Sequence, residues 1–184
     1  MFRQTCTSPQ GTSCFPLGTT STVFSGNRLI ETFNEYRLFR ITSSHSFTDC
    51  VNLRKITFPS TMVTCNSFVR CYGLEELYLN EGCTTVSRQC FWGSYFTQIY
   101  PTTMTTIRQM NIDTNGSQYY DVICKATSVP TLDSVSYYGH LKAVYVPDES
   151  FDSYKTASSW STLYNNNKLK KKSELPDNLK KYWP

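Results

Sequence analysis

An internal repeat between residues 47 and 79 constrains the fold of this chain more than any other feature. The first copy places five key side chains in the order Phe47, Cys50, Leu53, Ile56 and Phe58. The second copy, offset by 21 residues throughout, places matching side chains at Phe68, Cys71, Leu74, Leu77 and Leu79. Five matched positions at one offset indicate a single structural unit that is used more than once.

The spacing inside each copy identifies the kind of unit. A period of about 20–29 residues with a Leu-x-x-Leu-x-Leu core is the signature of a leucine-rich repeat. One such unit is a strand and a return loop, which cannot bury its apolar face unless it stacks on neighbours, with strands about 4.8 Å apart. The sequence therefore predicts a mainly β fold, and an aromatic content of 15% beside 17% charged residues fits that class.

Further copies extend the repeat in both directions. In addition to the two clear copies, the apolar triplets are Phe33/Tyr36/Leu38, Phe96/Ile99/Pro101, Tyr119/Val122/Cys124 and Leu141/Val144/Val146. The return loops repeat as well, at Met62, Cys83 and Met104 and at Cys65, Val86 and Ile107. We therefore predict a solenoid of about five to six short parallel-strand rungs over residues 29–147, with the loop residues filling the convex half of its core.

The period changes after Pro147. Residues 148–164 begin with Asp148 at a helix N-cap position, and they place Phe151, Tyr154 and Trp160 on one apolar surface. This pattern predicts a C-terminal helix that caps the last rung, which would otherwise expose its strand edge.

Two other segments carry no repeat. Residues 1–28 are rich in Thr, Ser, Gly and Pro, and we expect an irregular arm that docks on another subunit of a larger assembly. Residues 1–164 hold 12 basic and 12 acidic side chains, so the formal net charge of +4 resides in the Lys-rich tail at 165–184. We expect a solvated tail and no nucleic-acid partner, because Arg and aromatic residues do not interleave there.

The sequence shows neither a membrane-spanning segment nor a secretory signal. No apolar run approaches the length of about 20 residues that a membrane-spanning helix needs, so no membrane span is expected. The first residues, from Met1 to Cys6, contain no apolar core of a secretory signal. Three alternatives remain: a signal was removed, the protein leaves its cell by another route, or it stays inside.

Eight cysteines raise the question of disulfides, because an even number is typical of a disulfide framework in secreted domains. Cys50 and Cys71 occupy the same repeat position and should stack as a ladder, while Cys65, Cys83 and Cys124 fall at apolar positions. We therefore expect buried free thiols that act as small hydrophobic side chains. A metal site is not expected, because the chain has no Cys-x-x-Cys pair and only two His.

The sequence offers no catalytic constellation. It contains no Gly-x-Ser-x-Gly elbow, no His-Glu-x-x-His motif and no phosphate-binding glycine loop. His140 directly precedes a predicted rung, where a loop histidine is the simpler interpretation. The adjacent acids Glu75 and Glu76 alternate between the two sides of a strand and form no carboxylate dyad. We expect neither catalysis nor a cofactor.

Several segments resemble the BspA-type leucine-rich repeat family. The resemblance covers roughly residues 30–176, and its carriers are Phe33–Tyr36, Phe47–Leu53, Phe68–Leu74, Cys124–Pro130 and Leu141–Lys155. The last of these is similar to the family's C-terminal ending, in which a strand runs into a capping helix. The resemblance implies a leucine-rich repeat solenoid without catalytic activity.

The same resemblance implies two settings. Members of the family are surface and adhesive proteins of gut and oral anaerobic bacteria, and related modules occur in phage proteins. Because the chain shows few repeats and neither a signal peptide nor a lipid anchor, the first interpretation is a phage virion component. It would be a fibre, tail or capsid-attached protein that serves assembly or host-surface recognition. The alternative is a cell-surface adhesin of the BspA type.

The outward side chains of the predicted strands give a candidate recognition surface, since solenoids bind partners on this face. Alternation along the strands places Tyr78, Tyr100 and Tyr145 in one column, with Glu76 and Asp121 in a parallel column. Tyr offers a large, rigid contact area and a hydroxyl group. We expect these five residues to contact a host-surface protein or glycan, or a neighbouring subunit. In the alternative interpretation, the tyrosines only stabilise the sheet.

Overall fold

A computed structural model of the protein describes Gly26 and residues 32–34, 47–57, 64–65, 68–88, 90–112 and 120–184. In these residues the chain winds through successive turns that add strands to a front sheet and to a back sheet. Every paired strand runs parallel to its neighbour. The predicted mainly β solenoid of short parallel strands is therefore confirmed.

The strands are short, as expected for a repeat with a period near 21 residues. In chain order they are β1 (Thr32–Asn34), β2 (Lys55–Thr57), β3 (Thr64–Cys65), β4 (Glu76–Tyr78), β5 (Thr85–Val86), β6 (Thr97–Tyr100), β7 (Thr106–Ile107), β8 (Met110–Ile112), β9 (Tyr120–Cys124), β10 (Thr131–Leu132), β11 (Val135–Val146) and β12 (Leu169–Lys171).

The front sheet is continuous from β4 through β6, β9 and β11 to β12, and β1 pairs with β2. The back sheet contains the two-residue strands β3, β5, β7 and β10. Strand β8 lies beside the first part of β11, where Met110 pairs with Val135. The main hydrophobic core fills the space between the two sheets.

The return-loop residues lie where the repeat places them. One row along the back sheet consists of Cys65, Val86, Ile107 and Leu132. All four are buried, because alternate residues of a strand face opposite sides and the preceding Thr of each pair takes the outer side. Cys83 and Met104 are buried as well, whereas Met62 lies outside the described residues.

Equivalent side chains of successive turns form a ladder inside the front loops. The rings of Phe47 and Phe68 stack with centroids 5.1 Å apart. The Cys71 thiol donates a hydrogen bond to the Phe47 carbonyl at 3.0 Å, and the Ser94 hydroxyl donates one to the Phe68 carbonyl at 2.6 Å. The predicted ladder of Cys50 and Cys71 therefore continues with Ser94, a small donor that makes the same bond one turn later.

Six cysteines are buried free thiols, which confirms that expectation for the part of the chain that is described; they are Cys50, Cys65, Cys71, Cys83, Cys90 and Cys124. The sulfur atoms of Cys65 and Cys90 lie 3.4 Å apart. Burial raises the pKa of Cys71 to about 12 and that of Cys83 to about 11, which keeps these thiols protonated at neutral pH. Cys6 and Cys14 lie outside the described residues.

The predicted register of the fourth rung is wrong by one residue. Leu77 of β4 pairs with Gln98 of β6, so Gln98 and Tyr100 take inward positions and Ile99 faces outward. The loop positions shift by 23 residues from Cys71 to Ser94, but the strand positions shift by only 21. The Oε1 atom of the buried Gln98 amide accepts a 2.6 Å hydrogen bond from the Tyr100 hydroxyl.

The predicted register of the first rung is also wrong. Phe33 pairs with Ile56, the position that the sequence pattern assigns to Tyr36. An apolar triplet can be aligned in more than one way, and strand pairing selects one alignment. The fifth and sixth rungs follow the prediction at their central positions, because Val122 pairs with Val144 and both side chains are buried. At the first position, Leu141 pairs with Tyr120 and not with the predicted Tyr119, because a bulge shifts the register between Leu141 and Ala143.

The predicted single capping helix is divided into three short elements. They are a 3-10 turn at Asp148–Ser150 and the helices α1 (Phe151–Thr156) and α2 (Trp160–Asn165). Helix α1 ends at Thr156, because Ala157 is extended with ψ 149°, and Ser159 has a positive φ of 63°. This backbone break turns the chain so that both helices can cover the last turn of the core.

Two aromatic residues anchor this cap to the solenoid. The Tyr154 hydroxyl donates a hydrogen bond to the Ala126 carbonyl at 2.6 Å, and Trp160 Nε1 donates one to the Pro130 carbonyl at 2.7 Å. Their rings meet edge to face with centroids 4.6 Å apart. Both side chains are fully buried, so their polar atoms are satisfied inside the core.

The prediction of a solvated tail at 165–184 is wrong. Strand β12 extends the front sheet, followed by a 3-10 turn at Lys172–Glu174 and the helix α3 (Asp177–Lys180). A second hydrophobic cluster forms where this segment meets the outer side of the front sheet; its buried members are Ile99, Ile123, Ala143, Tyr145, Leu175, Leu179 and Tyr182. Apolar residues among the lysines therefore fold the tail onto the sheet.

The N-terminal arm at 1–28 lies outside the described residues except for Gly26, whose amide donates a 2.7 Å hydrogen bond to the Thr48 carbonyl. Docking of the arm on another subunit therefore stays a prediction. Among the residues that the structure describes, no helix has the length and apolarity needed to cross a bilayer.

Candidate functional site

The outer side of the front sheet, here called the front face, holds four of the five predicted recognition residues. Strand pairing aligns one column across it, consisting of Tyr78, Ile99, Ile123, Tyr145 and Lys170. Tyr78 is 47% exposed and Tyr145 only 6%. The column therefore exists, but most of it is covered.

Tyr100 does not belong to this face, so its predicted outward orientation is wrong. It is 1% exposed and lies in the main core beside Gln98. The one-residue shift of β6 places Ile99 in the outward column instead. An inward tyrosine supplies the hydroxyl that Gln98 needs, which the sequence pattern alone did not reveal.

Glu76 and Tyr78 contact side chains of the C-terminal segment. The Tyr182 hydroxyl donates a hydrogen bond to the Glu76 carboxylate, and the Tyr78 and Tyr182 rings meet edge to face at 5.6 Å. The Lys181 ammonium lies 3.8 Å from the same carboxylate. Burial and the nearby Glu76 charge raise the pKa of Tyr78, which keeps its hydroxyl neutral.

Asp121 lies on the front face, where it pairs with Ala143 of β11. It is 7% exposed, and its Oδ1 atom has no hydrogen-bond partner among the described residues. Burial raises the pKa of Asp121, while the Lys142 charge lowers it. Burial also raises the pKa of the neighbouring Tyr145 to about 12. The front face thus contains an acidic group with one buried oxygen that accepts no hydrogen bond from the described residues.

We call residues 172–184 the strap, because they run from β12 across the front face to β4. The Asp148 carboxylate accepts a 2.9 Å hydrogen bond from the Ser173 amide, which lowers the pKa of Asp148. Lys172, the first residue of the strap, contacts its last two residues. Its Nζ atom donates a 2.9 Å hydrogen bond to the Pro184 carbonyl and lies 5.2 Å from the centre of the Trp183 ring. These contacts close the strap on itself.

A second surface consists of exposed aromatic side chains, and the sequence analysis did not predict it. Among the described residues, the exposed large apolar side chains are Tyr72, Tyr78, Trp92, Tyr95 and Tyr164. Tyr72, Trp92 and Tyr95 are between 43% and 56% exposed and lie on consecutive front loops. The signal was present, because Tyr72 and Tyr95 each follow a member of the internal Cys/Ser ladder.

We call Arg70, Tyr72, Trp92, Tyr95 and His140 the aromatic ridge. The Tyr72 and Tyr95 rings stack with centroids 6.4 Å apart, and the Tyr95 ring meets the His140 ring edge to face at 4.6 Å. The Arg70 guanidinium lies 5.8 Å from the centre of the Trp92 ring. The ridge therefore joins three turns of the solenoid.

Arg70 is held by a bidentate ion pair. Its Nε and Nη2 atoms donate hydrogen bonds of 2.6 and 2.7 Å to the Asp49 carboxylate of the preceding turn, which raises the pKa of Arg70. Asp49, Arg70 and Gly93 have φ values of 60°, 53° and 71° at equivalent loop positions. A Cβ atom on Gly93 would lie 3.0 Å from Arg70 Cγ, so glycine leaves room for the arginine stem.

A family model described as "BspA type Leucine rich repeat region (6 copies)" matches residues 20–118, more than half of the chain. The chain belongs to the BspA-type leucine-rich repeat family. BspA-type repeats are associated with bacterial surface proteins and are typically non-catalytic, and leucine-rich repeat domains typically mediate protein interactions. No curated protein matches the chain.

The BspA-type match ends at residue 118, and the solenoid continues beyond it through β9, β11 and β12. Within the described ranges, no group of three or more His, Cys, Asp and Glu side chains is arranged to hold a metal ion. The described part of this BspA-type chain presents the front face, which is largely covered, and the aromatic ridge, which is exposed.

Proposed function

We propose that this protein is a non-catalytic interaction module that binds a protein partner through the aromatic ridge. The observation that carries the proposal is the contiguous, exposed set of Arg70, Tyr72, Trp92 and Tyr95. Trp, Tyr and Arg are the residues most enriched among binding hot spots, because they combine a large apolar area with polar groups at their tips.

The ridge is also rigid before binding, which favours this role. Arg70 N donates a 2.9 Å hydrogen bond to the Trp92 carbonyl, and Asp49 N donates a 3.0 Å hydrogen bond to the Val69 carbonyl, so each loop is tied to the next. The Asp49–Arg70 ion pair fixes the arginine beside Trp92. A partner would therefore lose little binding free energy to the ordering of these side chains.

Site-specific photocrosslinking in the cells that produce the protein tests the ridge. The full chain carries a photoreactive phenylalanine in place of Tyr72, and a matched variant carries it in place of Tyr164, which is exposed on α2. We expect one discrete adduct from position 72 and none of the same mass from position 164. Trp92→Ala should remove that adduct while the protein stays folded by circular dichroism.

Equal adducts from both positions, or an adduct that persists in Trp92→Ala, would contradict the ridge as the binding surface. The predicted contacts of Tyr78, Tyr145, Glu76 and Asp121 with a partner remain a separate proposal, because the strap covers much of their surface. Photocrosslinking from Tyr78, the most exposed of the four, would detect a partner that reaches the front face.

For the setting, we infer that the module belongs to a phage virion, where it serves assembly or host-surface recognition. Six buried free thiols in the described part of the chain support this setting. Phage particles assemble in the host cytosol, where thiols stay reduced, whereas exported domains tend to carry disulfides. The alternative setting is the bacterial cell surface, where a BspA-type adhesin would act.

Fractionation distinguishes the two settings. An antibody against the protein is applied to gradient-purified phage particles and to washed, uninfected cells of the same host. In the virion setting, the protein is expected to follow infectivity across the gradient at a constant ratio. Detection on intact uninfected cells, with none in the particles, would assign it to the cell surface.

A further inference from the structure

The strap occupies the surface that leucine-rich repeat solenoids use for binding. It crosses the front sheet from β12 to β4, and its apolar side chains Leu175, Leu179 and Tyr182 pack on that sheet. They stand at sequence positions i, i+4 and i+7. Leu179 lies in α3, whereas Leu175 precedes that helix with an extended backbone and Tyr182 follows it. The strap therefore has the form of a peptide ligand that belongs to the same chain.

The face beneath is matched to such a ligand in shape and charge. Ile99, Ile123 and Tyr145 supply the apolar floor, and Glu76 pairs with Lys181 at 3.8 Å and accepts the Tyr182 hydrogen bond. A lysine at i+6 thus accompanies the apolar residues of the strap. These contacts define a recognition pattern of apolar, apolar, basic and aromatic side chains.

One buried polar atom of the front face receives no hydrogen bond from the strap. Asp121 is buried on the front face, and its Oδ1 atom has no partner in the described part of the chain. A buried carboxylate oxygen without a donor reduces stability, whereas a segment that brings an N–H group or a cation to this oxygen would gain a charge-assisted hydrogen bond. The strap is therefore a ligand that a better-matched segment can displace.

We propose that the front face is a second docking surface, for a short segment of a partner protein that takes the form of the strap, an extended start followed by one helical turn, and that the strap closes it in the free protein. The partner segment carries apolar side chains at i and i+4, a lysine at i+6, an aromatic residue at i+7 and a donor for Asp121. This surface is separate from the aromatic ridge, so either proposal can fail without the other.

A peptide probe tests this proposal on the full chain. The probe is a fluorescent synthetic peptide with the sequence of residues 172–184, and its binding is measured by fluorescence anisotropy. Leu179→Ser with Tyr182→Ala loosens the strap without changing the face. Because a closed face lowers the apparent affinity by the fraction that is open, we expect this variant to bind the peptide at least about tenfold more tightly than wild type.

A matched control separates binding to the face from binding elsewhere. Glu76→Lys, added to the loosened variant, should return the affinity to that of wild type, because it repels the peptide lysine. If the loosened variant does not fold, Tyr182→Phe removes only the hydrogen bond to Glu76, and a gain of about twofold to tenfold is expected.

Three results would overturn the proposal. Equal affinity of wild type and the folded strap variants would show that the strap does not close the face. Absence of peptide binding to every variant would show that the face is not a docking surface. A dimer of the wild-type chain that grows with protein concentration would assign the face to exchange of the strap between copies.

Discussion

The Tyr182 hydroxyl donates a hydrogen bond to the Glu76 carboxylate, and 106 positions of sequence separate the two residues. Glu76 lies on β4 at one edge of the continuous front sheet, and the strap starts next to β12 at the other edge. This contact therefore fixes the strap across all five strands of that sheet. It also explains why the face expected to be open is mostly covered.

Tyr182→Phe is expected to lower the free energy of unfolding by about 0.5–1.5 kcal/mol, because it removes one hydrogen bond to a half-buried carboxylate. Tyr164→Phe is the matched control, since Tyr164 is exposed on α2 and should change stability by less than about 0.5 kcal/mol. Urea denaturation of both variants measures the difference. Equal losses would mean that the contact with Glu76 does not hold the strap.

Tyr100→Ala and Tyr78→Ala test the corrected register of β6. Tyr100 fills the main core, so its truncation should cost about 3–5 kcal/mol, as is typical of large aromatic side chains. Tyr78 is half-exposed and contacts Tyr182 at its edge, so the loss should be about 1 kcal/mol. A larger loss at Tyr78 would restore the register in which Ile99 faces inward.

Asp121→Asn is expected to stabilise the protein at neutral pH. Burial raises the pKa of Asp121 above its usual value of 3.8, so the folded chain holds the proton more tightly than the unfolded chain. The contribution of this group to stability is therefore full below that usual value and is lost as the pH rises through the raised pKa. Wild type and variant should converge in melting temperature at about pH 3 and differ at about pH 7.

Asp177→Asn is the control for this pH dependence. The hydrogen bond from Lys180 lowers the pKa of Asp177, so its ionised form favours folding, and the variant should gain no stability at neutral pH. A gain of equal size in both variants would point to net charge and not to burial of the Asp121 carboxylate.

The thiols are expected to react only after unfolding. Burial raises the pKa of Cys83 and of Cys124 to about 11, and both are inaccessible in the fold, so iodoacetamide should modify them slowly at about pH 8. In denaturant without reductant, peptide mapping should find all six described cysteines alkylated. Disulfide-linked peptides would contradict the free-thiol state and weaken the virion setting.

The repeat predicted much of the solenoid because it is a local pattern. Leu77 is buried and Tyr78 is exposed, as alternation along a strand requires, and Cys65, Val86 and Ile107 form the predicted row. Each of these positions is fixed by a period that any two neighbouring turns share. Stacking of like units then leaves few alternatives.

The register at β6 could not be read in the same way. Two residues inserted in the loop before Ser94 are compensated before Gln98, and apolar Ile99 fits the repeat pattern better than Gln98 does. The inward position goes to Gln98 because Tyr100 can donate a hydrogen bond to its amide oxygen inside the core. That hydrogen bond depends on two side chains that are adjacent only once the strand is placed.

The sequence by itself determined the repeat, the parallel strands, the thiol ladder and the presence of a cap. The tertiary structure alone decided that Lys172–Pro184 folds over the front face and that Tyr72, Trp92 and Tyr95 remain outside as an open ridge. The physical reason is range: strand patterns arise from neighbours a few residues or one period apart. The strap instead depends on apolar and polar contacts with strands that lie far earlier in the sequence. One example is the contact between Tyr182 and Glu76, which are 106 positions apart.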